Sequence, residues 1–239
     1  MPYPTLNLTR CSSFIVFFVL LFHPLTAQQI FPPPTERLTL RAQRVEGKAV
    51  ELDGTLNEKA WRNAPKITGF TQREPVQGAR ASQDTEVRVL FDEDFLYVGA
   101  ICRDSLVNRN RLRVRNLQRD FSGYGNDRFS IALDGLLDQR NAVGFEVTPY
   151  GSQRELQVID GAEFDANENW DALWFARTTI ADSGWVAEIA IPWKTLRYRK
   201  DSKEMLISFN RNIRRNNEIT TWPAYPRIFS HFRMAYAAR

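Results

Sequence analysis

The sequence predicts an all-β domain built as a two-sheet antiparallel β-sandwich, and three observations carry that expectation. About ten short runs of β-branched, aromatic and aliphatic residues are separated by Gly, Pro, Asn or Asp. A single convincing helical stretch, Leu56 to Ala64, interrupts them. Nothing repeats at a fixed period, which disfavours a solenoid or propeller, and about 200 residues suit one sandwich. Composition agrees. Of 239 residues 43% are apolar and 25% charged, which excludes disordered and fibrous classes. A net charge of +4, from 32 basic and 28 acidic residues, is too small and too mixed to indicate nucleic acid. Two Cys and two His leave no room for a zinc finger or a disulfide framework.

The chain opens with a targeting pattern. No Asp or Glu precedes Glu36, and Arg10 is followed by the apolar run Phe14 to Phe22 and then Ala27. A basic start, a short apolar core and a small residue describe a signal peptide over residues 1–27, so the protein is expected to be exported. The run is about half of the roughly 20 residues a spanning helix needs, which argues against an anchor. Cys11 precedes the run, where a lipid-attachment cysteine would follow it. Cleavage after Ala27 leaves Cys102 as the only cysteine, read as a small buried hydrophobe within an apolar run. His231 is then the only histidine, which argues against Cys- or Ser-based nucleophilic catalysis.

Residues 28–37, with Pro32-Pro33-Pro34, read as an extended lead-in, and the sandwich domain is expected over 38–239. Leu38 to Ala42 alternates, and Ala49 to Leu52 ends at the turn pair Asp53-Gly54. The helix over Leu56 to Ala64 takes Asn57 as its expected N-cap, Trp61 as a core plug and Pro65 as its stop. Glu86 to Phe91 and Phe95 to Ala100 flank Asp92-Glu93-Asp94, a β-hairpin with a three-residue loop. Further strands are expected at Phe129 to Leu133, Val143 to Thr148, Leu156 to Ile159, Ala172 to Ile180, Trp185 to Ile191 and Leu206 to Asn210.

Several motifs bear on function. Asp127 and Asp134 lie on opposite faces of one strand and roughly 20 Å apart, beyond the about 5–10 Å of a glycosidase carboxyl pair. No catalytic residue is assigned. Tyr124, between Gly123 and Gly125, reads either as an exposed stacking platform or as a packed loop tyrosine. Arg109, Arg111, Arg113 and Arg115 alternate and could grip phosphate, sulfate or uronate, but a solvated edge strand is favoured. Arg211, Arg214 and Arg215 receive the same reading. Trp170, Trp174 and Trp185 are assigned mostly to the core, and Glu188 reads either as a buried structural carboxylate held by an arginine or as a catalytic group, for which spacing places no second carboxylate. Asp92, Glu93, Asp94 and Asp104 are acidic, but no spacing supplies the six to eight oxygens of a calcium site.

Taken in order, "LDGTLNEKAW", "VRVLFDEDFLYVGAICRD", "GNDRFSIALD", "GWVAEIAIPWKTL" and "ISFNRNI" resemble the family 9 carbohydrate-binding modules. The segments "NAVGFEVTPYGSQ", "NENWDALWFARTTIADSGW" and "LRYRKD" resemble, within them, the N-terminal module of exported bacterial proteins that continue into an outer-membrane β-barrel of unknown function. The resemblance spans about Val45 to Phe232. It implies a β-sandwich that binds sugar chains between two aromatic rings, with calcium held structurally. By position one ring falls at Tyr124 and the other at Trp222 or Tyr225, with Asn126, Asp127 and Arg128 as polar partners. Ser130 stands where sugar-binding members carry a glutamate, and Glu146 about where they carry an arginine. The expected function is binding of a polysaccharide or oligosaccharide in carbohydrate catabolism, without catalysis by this domain. The alternative is an extracellular docking domain whose sugar site has decayed. A hydrolase acting on O-glycosyl bonds is a third possibility, for which no carboxyl pair can be named. Nucleic acid is not an expected partner, and a membrane is expected only through a barrel that a sequence ending at Arg239 does not contain.

Overall fold

The computed structural model describes residues 31–32, 35–105, 112–161 and 166–239. Residues 1–27, read above as a signal peptide, most of the expected lead-in, and Arg109 and Arg111 lie outside these described residues. Eleven strands are described: β1 (Gln43–Arg44), β2 (Thr71–Glu74), β3 (Thr85–Phe91), β4 (Phe95–Arg103), β5 (Arg128–Asp134), β6 (Ala142–Val147), β7 (Gln153–Val158), β8 (Phe175–Ala181), β9 (Gly184–Pro192), β10 (Leu206–Ile213) and β11 (Glu218–Trp222). They form a five-stranded sheet, β1-β3-β4-β9-β8, and a six-stranded sheet, β2-β11-β10-β5-β6-β7. Every pairing is antiparallel except the short β1–β3 contact.

Alternation fixes which face looks inward. Val87, Val89, Val98, Ala100, Ala187 and Ile189 of one sheet meet Phe129, Ile131, Phe145 and Phe209 of the other in the principal core. Cys102 and Trp185 belong to it, as expected. Trp170 and Trp174 close on Phe145 at centroid distances of 6.0 and 5.3 Å. The hairpin forms as expected: Asp92 Oδ1 accepts the N–H of Asp94 and of Phe95, and Tyr97 donates its hydroxyl to Oδ2.

Both outer faces are also covered. On the five-stranded sheet, helix α1 (Lys59–Asn63) presses Trp61 over Gly99, where a Cβ would lie 2.8 Å from Leu56 and 3.0 Å from Trp61. The helix is shorter than expected. Its N-cap is Glu58 rather than Asn57, and no side chain caps it, so tertiary burial of Trp61 holds this turn. On the six-stranded sheet, Phe232, Met234 and Ala237 of the C-terminal segment cover Ala132, Leu156 and Val158.

Three further expectations change. Leu38 to Ala42 and Ala49 to Leu52 carry no strand; β1 is confined to Gln43–Arg44. Residues 112–115 are irregular, so the basic stripe is not an edge strand there. Strand β8 begins at Phe175 rather than Ala172, because the Ala172 N–H and the Trp174 indole N–H turn inward to the buried Glu155 carboxylate. Finally, the chain's entry and exit run side by side: Leu40 N–H donates to the Arg239 carbonyl and Arg239 N–H to the Leu38 carbonyl, at 2.6 and 2.9 Å. Among the described residues no helix is long and apolar enough to cross a membrane.

Candidate functional site

The outer face of the six-stranded sheet changes character along its strands. One cross-strand row, Ser208–Ala132–Gly144–Leu156, lies beneath Phe232. The next row, Asn210–Ser130–Glu146–Arg154, is polar. Glu146 is fully buried. Its Oε1 accepts from Arg128 Nε at 3.1 Å and Ser130 Oγ at 3.0 Å, and its Oε2 from Arg154 Nη1 at 2.7 Å. Burial alone would raise this carboxyl, but the Arg128 and Arg154 guanidiniums outweigh it and hold the group at about 2. His231, also buried, is pushed down to about 3, first by burial; the Glu146 charge only partly offsets this. Its Nε2 has no hydrogen-bond partner among the described residues.

The loop carrying Tyr124 is tied to this row. Arg128 Nη1 donates to the Gly123 carbonyl, and Asn126 Nδ2 donates to the Ser122 carbonyl at 2.8 Å. Asn126 Oδ1 accepts the Arg115 N–H. The Asp127 carboxylate accepts the N–H of Arg214 on one oxygen and of Arg113 on the other, each at 2.6 Å. Asn126, Asp127 and Arg128 are therefore buried and engaged within the protein. Tyr124 itself is 69% exposed.

The two candidate second rings part company. Trp222 pairs in register with Phe209 and packs against it with tilted rings 5.9 Å apart, on the inner face and so opposite the Arg128 row. Tyr225 is 4% exposed, with the Arg73 guanidinium 6.0 Å from its ring centre. Arg154 was not singled out by sequence, and His231 was noted only as the one remaining histidine, not as a neighbour of this row. A cross-strand signal was available: Glu146 and Arg154 face each other across the β6–β7 hairpin, where opposite charges pair.

Other charged residues depart from expectation. Glu188 is fully buried but among the described residues no arginine holds it: Oε2 accepts the N–H of Asp53 and Gly54, and Oε1 the indole N–H of Trp61, all at 3.0 Å. Burial raises it to about 7. Arg211 and Arg215 are not solvated. Arg211 bridges the sheets to the Asp84 and Arg103 carbonyls, and Arg215 pairs with Asp104. Both Asp104 oxygens go to Arg215, and Asp92 is spent on its turn and Tyr97. Those carboxylates do not fit a calcium donor set, and among the described residues no group of three or more His, Cys, Asp or Glu could hold a metal ion.

Three comparisons place the fold. Two solved structures of a family 9 carbohydrate-binding module from Caldicellulosiruptor kristjanssonii are each 16% identical. The cellotriose complex has a TM-score of 0.52 and covers 76% of this chain and 82% of that one. The glucose complex has a TM-score of 0.53, covering 76% and 84%. A candidate carbohydrate-binding protein from Bacteroides uniformis is 9% identical, with a TM-score of 0.64 over 85% of this chain and 98% of that one. No curated protein matches the sequence. The family model described as "Carbohydrate family 9 binding domain-like" matches residues 52–223, well over half of the chain, and the protein belongs to that family.

Proposed function

We propose that the protein is an exported, non-catalytic carbohydrate-binding module that takes up a polysaccharide or oligosaccharide chain during polysaccharide breakdown. The observation that carries the reading is Tyr124, a 69% exposed ring on a loop clamped by the hydrogen bonds of Asn126, Asp127 and Arg128. A rigid aromatic plate over a polar face is what a sugar ring needs, because stacking supplies contact area without ordering a mobile side chain. Neither candidate second ring is presented beside Tyr124 in this structure, since Trp222 packs on Phe209 and Tyr225 is buried, so the reading rests on a single exposed plate. Export rests on the Arg10, Phe14 to Phe22 and Ala27 pattern. The solved relatives in complex with cellotriose and glucose make β-glucans the first glycans to try.

One observation favours a second reading, a docking module of an outer-membrane barrel protein with a decayed sugar site. The polar row is closed on itself: Glu146 satisfies Arg128, Ser130 and Arg154 internally, leaving few groups for a ligand.

A glycan array probed with wild type and Tyr124→Ala, in calcium-containing and chelated buffer, separates the two. Binding that disappears in the variant supports the first reading. Wild-type protein that retains no glycan supports the second.

A further inference from the structure

The two basic clusters that read separately in the sequence meet in space. Arg113 and Arg115 from one loop, and Arg214 and Arg215 from the turn after β10, line a single cleft of 560 Å³ together with Gly125 and Asn217. Among the described residues no acidic side chain lines it. The convergence is built rather than incidental. Asp127, 3% exposed, accepts the backbone N–H of Arg113 and of Arg214 on its two oxygens, locking together segments about 100 residues apart. Gly125 sits at φ +87°, and a Cβ there would come 2.6 Å from Arg115 Nε, so the glycine makes room for a guanidinium. Arg215 is neutralised by Asp104, but Arg113, Arg115 and Arg214 have no ion pair among the described residues. The exposed Tyr124 is the next residue along from Gly125.

We infer that this cleft binds the acidic groups of a sugar chain, uronate carboxylates or sulfate esters, whose adjoining ring lies on Tyr124. The inference rests on the carbohydrate-binding reading and specifies the glycan's charge. Guanidiniums offer paired N–H donors that match the planar or tetrahedral oxygens of such groups, and charge-assisted bonds of this kind are about twice as strong as neutral ones. The volume falls within the range of about 300–1,000 Å³ usual for ligand pockets. The free guanidiniums project from a protein whose overall charge is only +4, so the attraction is local to this cleft.

Calorimetric titration of the full protein decides it, using four probes: hexagalacturonate for carboxylates, a chondroitin sulfate hexasaccharide for sulfate, cellohexaose as a neutral chain, and inorganic phosphate. The variants are Arg115→Glu and Arg214→Glu, both at exposed positions, with Arg115→Gln as a milder change and a thermal melt for each. The expected result is that one acidic chain binds more tightly than cellohexaose. Its affinity falls about tenfold or more in each charge-reversal variant, less in Arg115→Gln, and also falls with added salt. The uronate and sulfate arms show which anion is taken. Equal binding of cellohexaose, unmoved by the arginine variants, overturns the inference and leaves the carbohydrate reading standing. Acidic chains that bind no more tightly than phosphate overturn it as well, making the cleft a site for simple anions. Failure of every glycan sinks both.

Discussion

Trp61 donates its indole N–H to Glu188 at 3.0 Å across 127 positions of sequence, pinning the N-terminal turn to the outer face of the five-stranded sheet. Among the described residues the carboxylate receives three N–H donors and no cation. Burial sets its proton affinity, raising the group from 4.5 to about 7.

That shift gives a signed pH dependence. Between about pH 4.5 and 7 the folded protein holds a proton on Glu188 that the unfolded chain has released. This contribution to stability is therefore fully present below pH 4.5, declines as pH rises to 7, and is flat above. Urea unfolding of wild type and Glu188→Gln at pH 5 and pH 8 checks it. A carboxylic acid can accept from Trp61 on either oxygen, whereas a glutamine places N–H donors against N–H donors. The variant is expected to be less stable than wild type by about 1–3 kcal/mol at pH 5, with the gap narrowing at pH 8.

Glu146→Gln should behave in the opposite manner. It leaves the guanidiniums of Arg128 and Arg154, 9% and 11% exposed, without their common anion. Breaking a buried ion group in this way costs about 3–5 kcal/mol. Because the carboxyl is held at about 2, the difference from wild type should be full above pH 4.5 and close as pH falls through 2. Denaturant midpoints across pH 2 to 7 read this directly.

Gly144→Ala tests the C-terminal cover. An added Cβ would stand 2.5 and 2.8 Å from ring atoms of Phe232 and 3.1 Å from Leu156. Overpacking of this kind costs about 1–3 kcal/mol. Limited proteolysis should show cleavage within residues 226–239 before the rest of the sandwich is cut.

Cys102 should report global unfolding. It is fully buried in the principal core, and burial raises its thiol to about 11. Alkylation at pH 8, followed by mass spectrometry of the peptide containing Cys102, should show no modification of the native protein and complete modification in denaturant.

The sequence was most legible where local pattern and burial agree. The β3–β4 hairpin shows as two alternating runs around Asp92-Glu93-Asp94; Trp61 was assigned to burial as a large apolar plate on a short amphipathic turn, and Cys102 from the apolar run that holds it. Strands β2 and β11 escaped, since Thr71–Glu74 has no apolar alternation and both find their place only by pairing at the sheet's margin. Arg211 read as solvated because nothing local reveals carbonyls of Asp84 and Arg103, more than 100 positions away, waiting for it. At the candidate site Tyr124 was found from its flanking glycines. The choice between Trp222 and Tyr225 was not open to sequence reasoning, because the face each ring occupies depends on the register of β11 against β10.

The hydrogen bonds joining Leu38 and Leu40 to Arg239 run in a parallel sense, so the incoming and outgoing chain point the same way at their meeting place. Tension applied between the two ends would therefore slide these segments along one another and load both bonds at once, as a lap joint is loaded, instead of peeling them open singly. Because Ala238 also exchanges two backbone hydrogen bonds with Ile207 of β10, tension on this seam is shared with the six-stranded sheet from its first residue.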